Sequence, residues 1–225
     1  MELIVKGKTK DVYKLENGNV MFQFKDSATV NESGEIDPGG NKVGATIDGL
    51  GKAALKVSTY YFEKINEAGF LTQYVESDLD AGTMTVKQAD FFGKGVEIIC
   101  RLKATGSFIR RYGDYCKEGQ DLDFLVEVSL KDDEGGDPMA CCETLEMLGI
   151  MTPEEYKKIK ELTRDMTTLI RDALADKGLT LYDLKLEFGK INGEIALIDE
   201  VSSGCMRVYK DNEWLHTVEL EKYFS

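Results

Sequence analysis

The sequence predicts an α+β protein in which an N-terminal antiparallel sheet lobe precedes a larger mixed lobe. Three observations carry this expectation. Residues 1–30 alternate apolar and polar side chains as short antiparallel strands do. Two stretches, 52–69 and 153–178, repeat apolar residues at spacings of three and four, the helical period. Residues 183–200 read as a hairpin around Asn192-Gly193, a strong turn signal.

The elements follow in chain order. A turn at Glu16-Asn17-Gly18-Asn19 joins "KDVYKL" to "VMFQFK". The glycine-rich "ESGEIDPGGNKVGATIDGLG", in the span 31–51, is too poor in apolar residues to pack and reads as a long loop or lid. "KAALKVSTYYFEKINEAG" is a helix ending on Gly69 as C-cap. Strands return in "TMTVKQA", "VEIICRLKA" and "LDFLVEVSLK", with a short helical stretch in "TGSFIRRYGDYCKEGQ" between the last two. "KDDEGGDPMA" is a polar turn, and an acidic helix begins near Cys141. Thr152 caps the next helix, with Pro153 at its first position, and Gly178 stops it. The hairpin and a short tail holding Trp214 and His216 complete the chain. We read one compact unit with a soft division into lobes at 1–88 and 89–225.

Composition excludes several classes. The chain has 225 residues, 42% hydrophobic and 31% charged, with a formal net charge of −13. That charge argues against a non-specific nucleic-acid surface or an anionic membrane surface. No run approaches the roughly 18 apolar residues of a membrane span, and "MELIVKGKTK" lacks the apolar core of a signal peptide. The five cysteines, Cys100, Cys116, Cys141, Cys142 and Cys205, match no zinc spacing and read as reduced cytoplasmic thiols. With one histidine, a His-metal site or a Ser-His-Asp triad is excluded, so the chemistry rests on carboxylates, lysines and arginines.

Three clusters are candidates for that chemistry. In "DLKLEFG", Asp183, Lys185 and Glu187 form one charged strand face, and the apolar strand "EIALIDE" ends on Asp199-Glu200. A three-residue loop at Ile191–Gly193 would set Lys185 opposite Asp199 with Glu187 diagonally beside it. Two carboxylates so held suit Mg²⁺, which takes few protein oxygens; a solvated face of cross-strand ion pairs is the alternative. In "KGKTKDVYKL", Gly7 lets the backbone approach phosphate while Lys8 and Lys10 supply charge, though lysines there also suit plain surface. In "RLKATGSFIRRYG", Arg101, Gly106-Ser107 and Arg110-Arg111 fit an anionic ligand or an exposed helix start.

Together these segments resemble the SAICAR synthetase (phosphoribosylaminoimidazole-succinocarboxamide synthase) family. The resemblance rests on "GKTKDVYK", "FKDSATV", "VEIICRLKATGSFIRRYG", "LKDDEGGDPM", "TPEE" and "LYDLKLEFG…GEIALIDEVSSGCMRVY", which span almost the whole chain. It implies a sheet lobe packed against an ATP-grasp-like lobe with ATP in the cleft between them. It implies condensation of carboxyaminoimidazole ribonucleotide with L-aspartate through an acyl phosphate, with ATP and Mg²⁺ as cofactors. Carried over by motif, Lys8, Lys10 and Lys87 lie at or beside the nucleotide phosphates, and Glu187 and Asp199 hold Mg²⁺ on ATP. Arg101, Ser107 and Arg207 bind the ribonucleotide, with the catalytic pair Asp183 and Lys185 near the reacting carboxylate. The implied partners are these small molecules, and the family allows a homo-oligomer.

The chain departs from the family pattern on the acceptor side. Leu102 and Gly204 stand where Asn and Asp are usual, Ala53-Ala54 replace paired asparagines, and the tail lacks the expected arginines. A related ligase joining a different carboxylate or amine is therefore a second reading, and a small-molecule kinase a third. A nucleotide-binding module without catalysis is disfavoured, since the sequence keeps both Glu187 and Asp199 as well as Lys8 and Lys10, and a passive binder need not hold a catalytic metal.

Overall fold

The computed structural model describes residues 1–225 other than 32, 38, 39, 41, 133 and 225, and the side chain at 217. The chain divides into two units. One holds residues 1–90, 200–205 and 216–225; the other holds 91–199 and 206–215.

In the first unit, β1 (Glu2–Lys6), β2 (Lys10–Lys14) and β3 (Val20–Phe24) form an antiparallel meander. β4 (Ser27–Val30) and β5 (Lys42–Thr46) pair as a separate ribbon. After α1 (Leu50–Glu67), β6 (Tyr74–Asp78) and β7 (Thr83–Val86) complete a sheet of order β1-β2-β3-β7-β6. Helix α1 buries Ala53, Leu55, Val57, Tyr61, Phe62 and Ile65 completely, and Gly69 at φ 86° follows its end. The C-terminal helix Thr217–Leu220 packs on α1, and Phe224 sits edge-on to Tyr60 and Tyr61.

The expected glycine-rich loop is corrected in part. Residues 42–46 are a strand on β4, and Ile36 bridges Val30. The glycines serve close packing there: a Cβ on Gly44 would lie 2.4 Å from the Val30 side chain, and one on Gly40 2.3 Å from the Val30 carbonyl. Residues 32, 38, 39 and 41 of that stretch lie outside the described residues.

The second sheet contains β8 (Asp90–Phe91), β9 (Val96–Lys103), β10 (Asp121–Leu130), β11 (Thr180–Ile191), β12 (Glu194–Ile198), β13 (Met206–Lys210) and β14 (Glu213–Trp214). Its main path runs β10-β9-β11-β13-β14, with β8 and β12 also on β11. Short helices α2 (Ser107–Tyr112) and α3 (Cys142–Met147) lie between strands. Long helix α4 (Pro153–Ala175) opens with the Thr152–Glu155 capping box and packs on β9, β10 and β11. Strand periodicity sorts this sheet into two faces. Val126, Val128, Ile98, Cys100, Leu184, Leu186 and Phe188, on one face, are all buried. Glu127, Ser129, Glu97, Arg101, Asp183, Lys185 and Glu187 fall on the other. Among the described residues, no helix is long and apolar enough to cross a membrane.

Candidate active site

The polar face of the second sheet is a lattice of paired charges. Arg101 is 1% exposed, and its guanidinium donates to Glu127 at 2.5 Å, Asp183 at 2.9 Å and the Ser107 hydroxyl at 2.9 Å. Asp183 is directly cross-strand from both Arg101 on β9 and Arg207 on β13, so it also accepts from Arg207, at 2.7 Å. Three of the residues expected at the ribonucleotide, Arg101, Ser107 and Arg207, are thus brought together around Asp183. Gly106 makes room for this: at φ 54° a side chain is strained, and a Cβ there would stand 2.6 Å from the Arg207 guanidinium carbon.

Along the same face, Lys185 donates to Glu97 at 2.6 Å, and Lys131 donates to both Glu187 oxygens at 2.7 and 2.9 Å. Glu187 and Glu97 are direct cross-strand neighbours, so the two lysines separate like charges that would otherwise repel. Burial raises the Glu187 carboxyl above its ordinary value, and the neighbouring Asp199 charge adds to the rise. Burial pulls the Lys131 ammonium down, but Asp199 and Glu187 outweigh it and leave it raised.

The expected hairpin register is corrected. Asn192 and Gly193 both have positive φ, 53° and 85°, which makes a two-residue turn; Ile191 then pairs Glu194 and Glu187 pairs Ile198. Lys185 therefore does not face Asp199 through the ladder. Asp199 comes near Glu187 by another route: directly after β12 it adopts φ 66°, a left-handed conformation uncommon for a non-glycine residue.

In the first unit, the β1–β2 turn closes on a Gly7 N–H to Lys10 carbonyl bond of 3.1 Å. A Cβ on Gly7 would lie 2.4 Å from that carbonyl. Lys25 braces the turn by donating to the Gly7 carbonyl at 2.7 Å. Lys8 sits within the turn, and the buried Lys10 ammonium meets Glu200 at 2.7 Å. Glu200 also accepts from Ser202, at 2.5 Å. Lys87 is not brought to this turn. It follows β7 beyond the Val20–Val86 pair, whereas Lys10 pairs Phe24 at the other end of β3.

Sequence reasoning missed Lys131, Glu127 and Glu97 as members of these clusters, and it named Glu200 with Asp199 but not as the partner of Lys10. The signal was present for three: Glu97, Glu127 and Lys131 occupy alternate positions in strands otherwise rich in apolar residues. Among the described residues, no three His, Cys, Asp or Glu side chains gather as a metal cage. Glu187, whose two oxygens both accept from Lys131, and Asp199, near enough to raise its pKa, are carboxylates of the kind that Mg²⁺ takes in ones and twos.

An α+β fold whose sheet face sets arginines beside closely spaced carboxylates and lysines belongs to the class of proteins that handle small charged molecules. Comparison makes this specific. The SAICAR synthetase family profile matches residues 3–223. Phosphoribosylaminoimidazole-succinocarboxamide synthase of Clostridium tetani is 51% identical over 224 residues, 99% of this chain and 98% of that one. A SAICAR synthetase solved in complex with ADP superposes with a TM-score of 0.83 at 30% identity, covering 93% of this chain and 86% of that one. The corresponding synthase of Ehrlichia chaffeensis gives a TM-score of 0.86 at 25% identity, covering 98% and 91%. The chain belongs to the SAICAR synthetase family.

A raised carboxyl pKa means that the fold holds the Glu187 proton more tightly than the unfolded chain does. The group's contribution to stability is therefore full below the ordinary value of 4.5 and is lost as pH rises through its folded value. Metal-free Glu187→Gln should accordingly gain stability relative to wild type as pH rises above 4.5 in urea titrations. A constant gap over that range would contradict the burial argument.

Proposed function

We propose that this protein joins the carboxylate of carboxyaminoimidazole ribonucleotide to the amine of L-aspartate, with ATP cleaved to ADP and phosphate. The observation that carries this reading is the Asp183-centred pair of guanidiniums on the same sheet face as Glu187. Arg207, 13% exposed and held by Asp183, matches the forked geometry of a phosphate group, while the buried Arg101 fixes Asp183 and the Ser107 hydroxyl behind it. Membership of a ligase family whose ADP-bound member shares the fold supports ATP as the energy source.

In this reading Lys8 and Lys10 address the nucleotide phosphates. Lys87, at the opposite end of the same sheet, addresses another part of the nucleotide. Glu187 and Asp199 would hold Mg²⁺, which supplies neutralisation of charge on the transferred phosphoryl group. Asp183 orients Arg101 and Arg207, while Lys185, on the same strand face, offsets charge on the reacting carboxylate.

A carboxylate is a poor electrophile, so its oxygen first bonds to the γ-phosphorus while the bond from phosphorus to ADP breaks. The aspartate amine then adds to the acyl carbon and sheds a proton as phosphate departs with that oxygen. Fixed lysines and arginines favour the charge of both steps without reorganising, and exclusion of water protects the acyl phosphate. No protein nucleophile is required; burial lifts the Cys100 thiol to about 11 and keeps it inert at neutral pH. All five cysteines are free thiols, which supports a cytoplasmic setting.

The test is ADP release by the purified protein with Mg·ATP and the ribonucleotide, with and without L-aspartate. Aspartate-dependent release with a succinocarboxamide product is expected; ATP binding without turnover on these substrates would reject the assignment. Arg207→Ala should raise the ribonucleotide KM by about tenfold or more while moving the ATP KM much less. An equal effect on both would remove Arg207 from the ribonucleotide site.

A further inference from the structure

Past Arg207, the polar face of the second sheet continues into an aromatic pair that the proposed reaction does not use. β11 carries one residue more than β13 between the Leu181–Val208 and Asp183–Arg207 pairs. That extra residue is Tyr182, and a bulge of this kind re-aims a side chain. Instead of joining Leu184 on the apolar face, the Tyr182 ring stacks on Tyr209, with centres 3.7 Å apart and planes 17° from parallel. Tyr209 follows Arg207 by two residues on β13 and so shares its face. From the strand on the other side, the Lys103 ammonium stands 5.7 Å from the Tyr182 ring centre.

Both rings lie against the neck of the 104–120 loop, which carries α2. Two backbone bonds close the neck: Ala104 N–H to the Gln120 carbonyl at 2.7 Å and Gly119 N–H to the Ala104 carbonyl at 2.8 Å. A Cβ on Gly119 would lie 3.8 Å from the Tyr182 hydroxyl oxygen. The Tyr209 phenol is hydrogen-bonded to the side chain of Thr105, which is buried and directly precedes Gly106 and Ser107. Gly106 packs against the Arg207 guanidinium, and Ser107 bonds Arg101. A shift of the turn at Thr105 therefore moves Gly106 on Arg207, where even a methyl group has no room.

We propose that Tyr209 is a positioning residue for the ribonucleotide phosphate: its phenol holds Thr105, and Thr105 sets Gly106 and Ser107 at a fixed distance from Arg207. The proposal rests on the reading of Arg207 as the phosphate's partner. Stacking on Tyr182 already fixes the ring, so the bond to Thr105 needs little further ordering. Burial raises the phenol above its ordinary value of 10.0, so it stays neutral and keeps its hydrogen bond at working pH.

Steady-state kinetics on Tyr209→Phe, Thr105→Val and the double variant test this, with ATP, L-aspartate and carboxyaminoimidazole ribonucleotide. Each single change removes one side of the bond and keeps a ring against Tyr182. Each should raise the ribonucleotide KM about fivefold, the worth of one hydrogen bond, with kcat and the ATP KM little changed. The double variant should be no worse than the more impaired single one, since both break the same bond. Thr105→Ser, which keeps the hydroxyl, should hold a KM close to wild type. A bond that serves only the fold would lower the urea midpoint and leave every KM at its wild-type value, which would overturn the proposal. Additive single effects, or an equal rise in the ATP KM, would overturn it too. Arg207→Ala measured alongside separates the two readings. If it raises the ribonucleotide KM and Tyr209→Phe does not, the positioning role alone falls. If it leaves that KM unmoved, or wild type does not turn the ribonucleotide over, the phosphate reading falls and the positioning role with it.

Discussion

The rest of the second unit depends on how Arg101 is neutralised. A guanidinium 1% exposed is tolerable only when its donors are met, and breaking such a pair costs about 3–5 kcal/mol because a charge is left buried. Its donors are met by Glu127 on one neighbouring strand, Asp183 on the other and the first hydroxyl of α2. That requirement aligns β10, β9 and β11 on one register and holds the α2 turn against them. Asp183 extends the constraint to β13 through Arg207. The lattice is therefore tied together across four strands and α2 by its own hydrogen bonds.

The larger features were legible because they follow from period alone. The strand alternation, the Thr152-Pro153 helix start and the glycine stops all appear where pattern places them. Details that hang on one dihedral angle were not legible. Whether Asn192 joins the turn with positive φ decides between a two- and a three-residue loop, and one residue of slip moves every side chain to the opposite face. Asp199, next to the Ile198 that pairs Glu187, takes a left-handed backbone that no periodicity announces. The partners of Arg101 were hidden for a different reason: Asp183 lies 82 residues away, and only sheet order makes them neighbours.

The departures from the family pattern have local settings that tolerate them. Ala53 is fully buried in the apolar face of α1, and Gly204 is exposed, with space for a Cβ limited only by the Ser202 hydroxyl at 3.2 Å. Within the second unit, the charged lattice is complete. Family membership across residues 3–223 and 51% identity to the Clostridium tetani synthase are consistent with a chain whose core chemistry is kept while its edges vary.

The central claim is that this lattice holds a substrate carboxylate while its own oxygen takes the phosphoryl group. Its most direct test is to label that carboxylate with heavy oxygen, run the reaction to completion, and read the inorganic phosphate by phosphorus NMR. One labelled oxygen in each phosphate is the result the account predicts. Unlabelled phosphate, with the label left on unreacted carboxylate or lost to solvent, would show that ATP is cleaved by water and would contradict it.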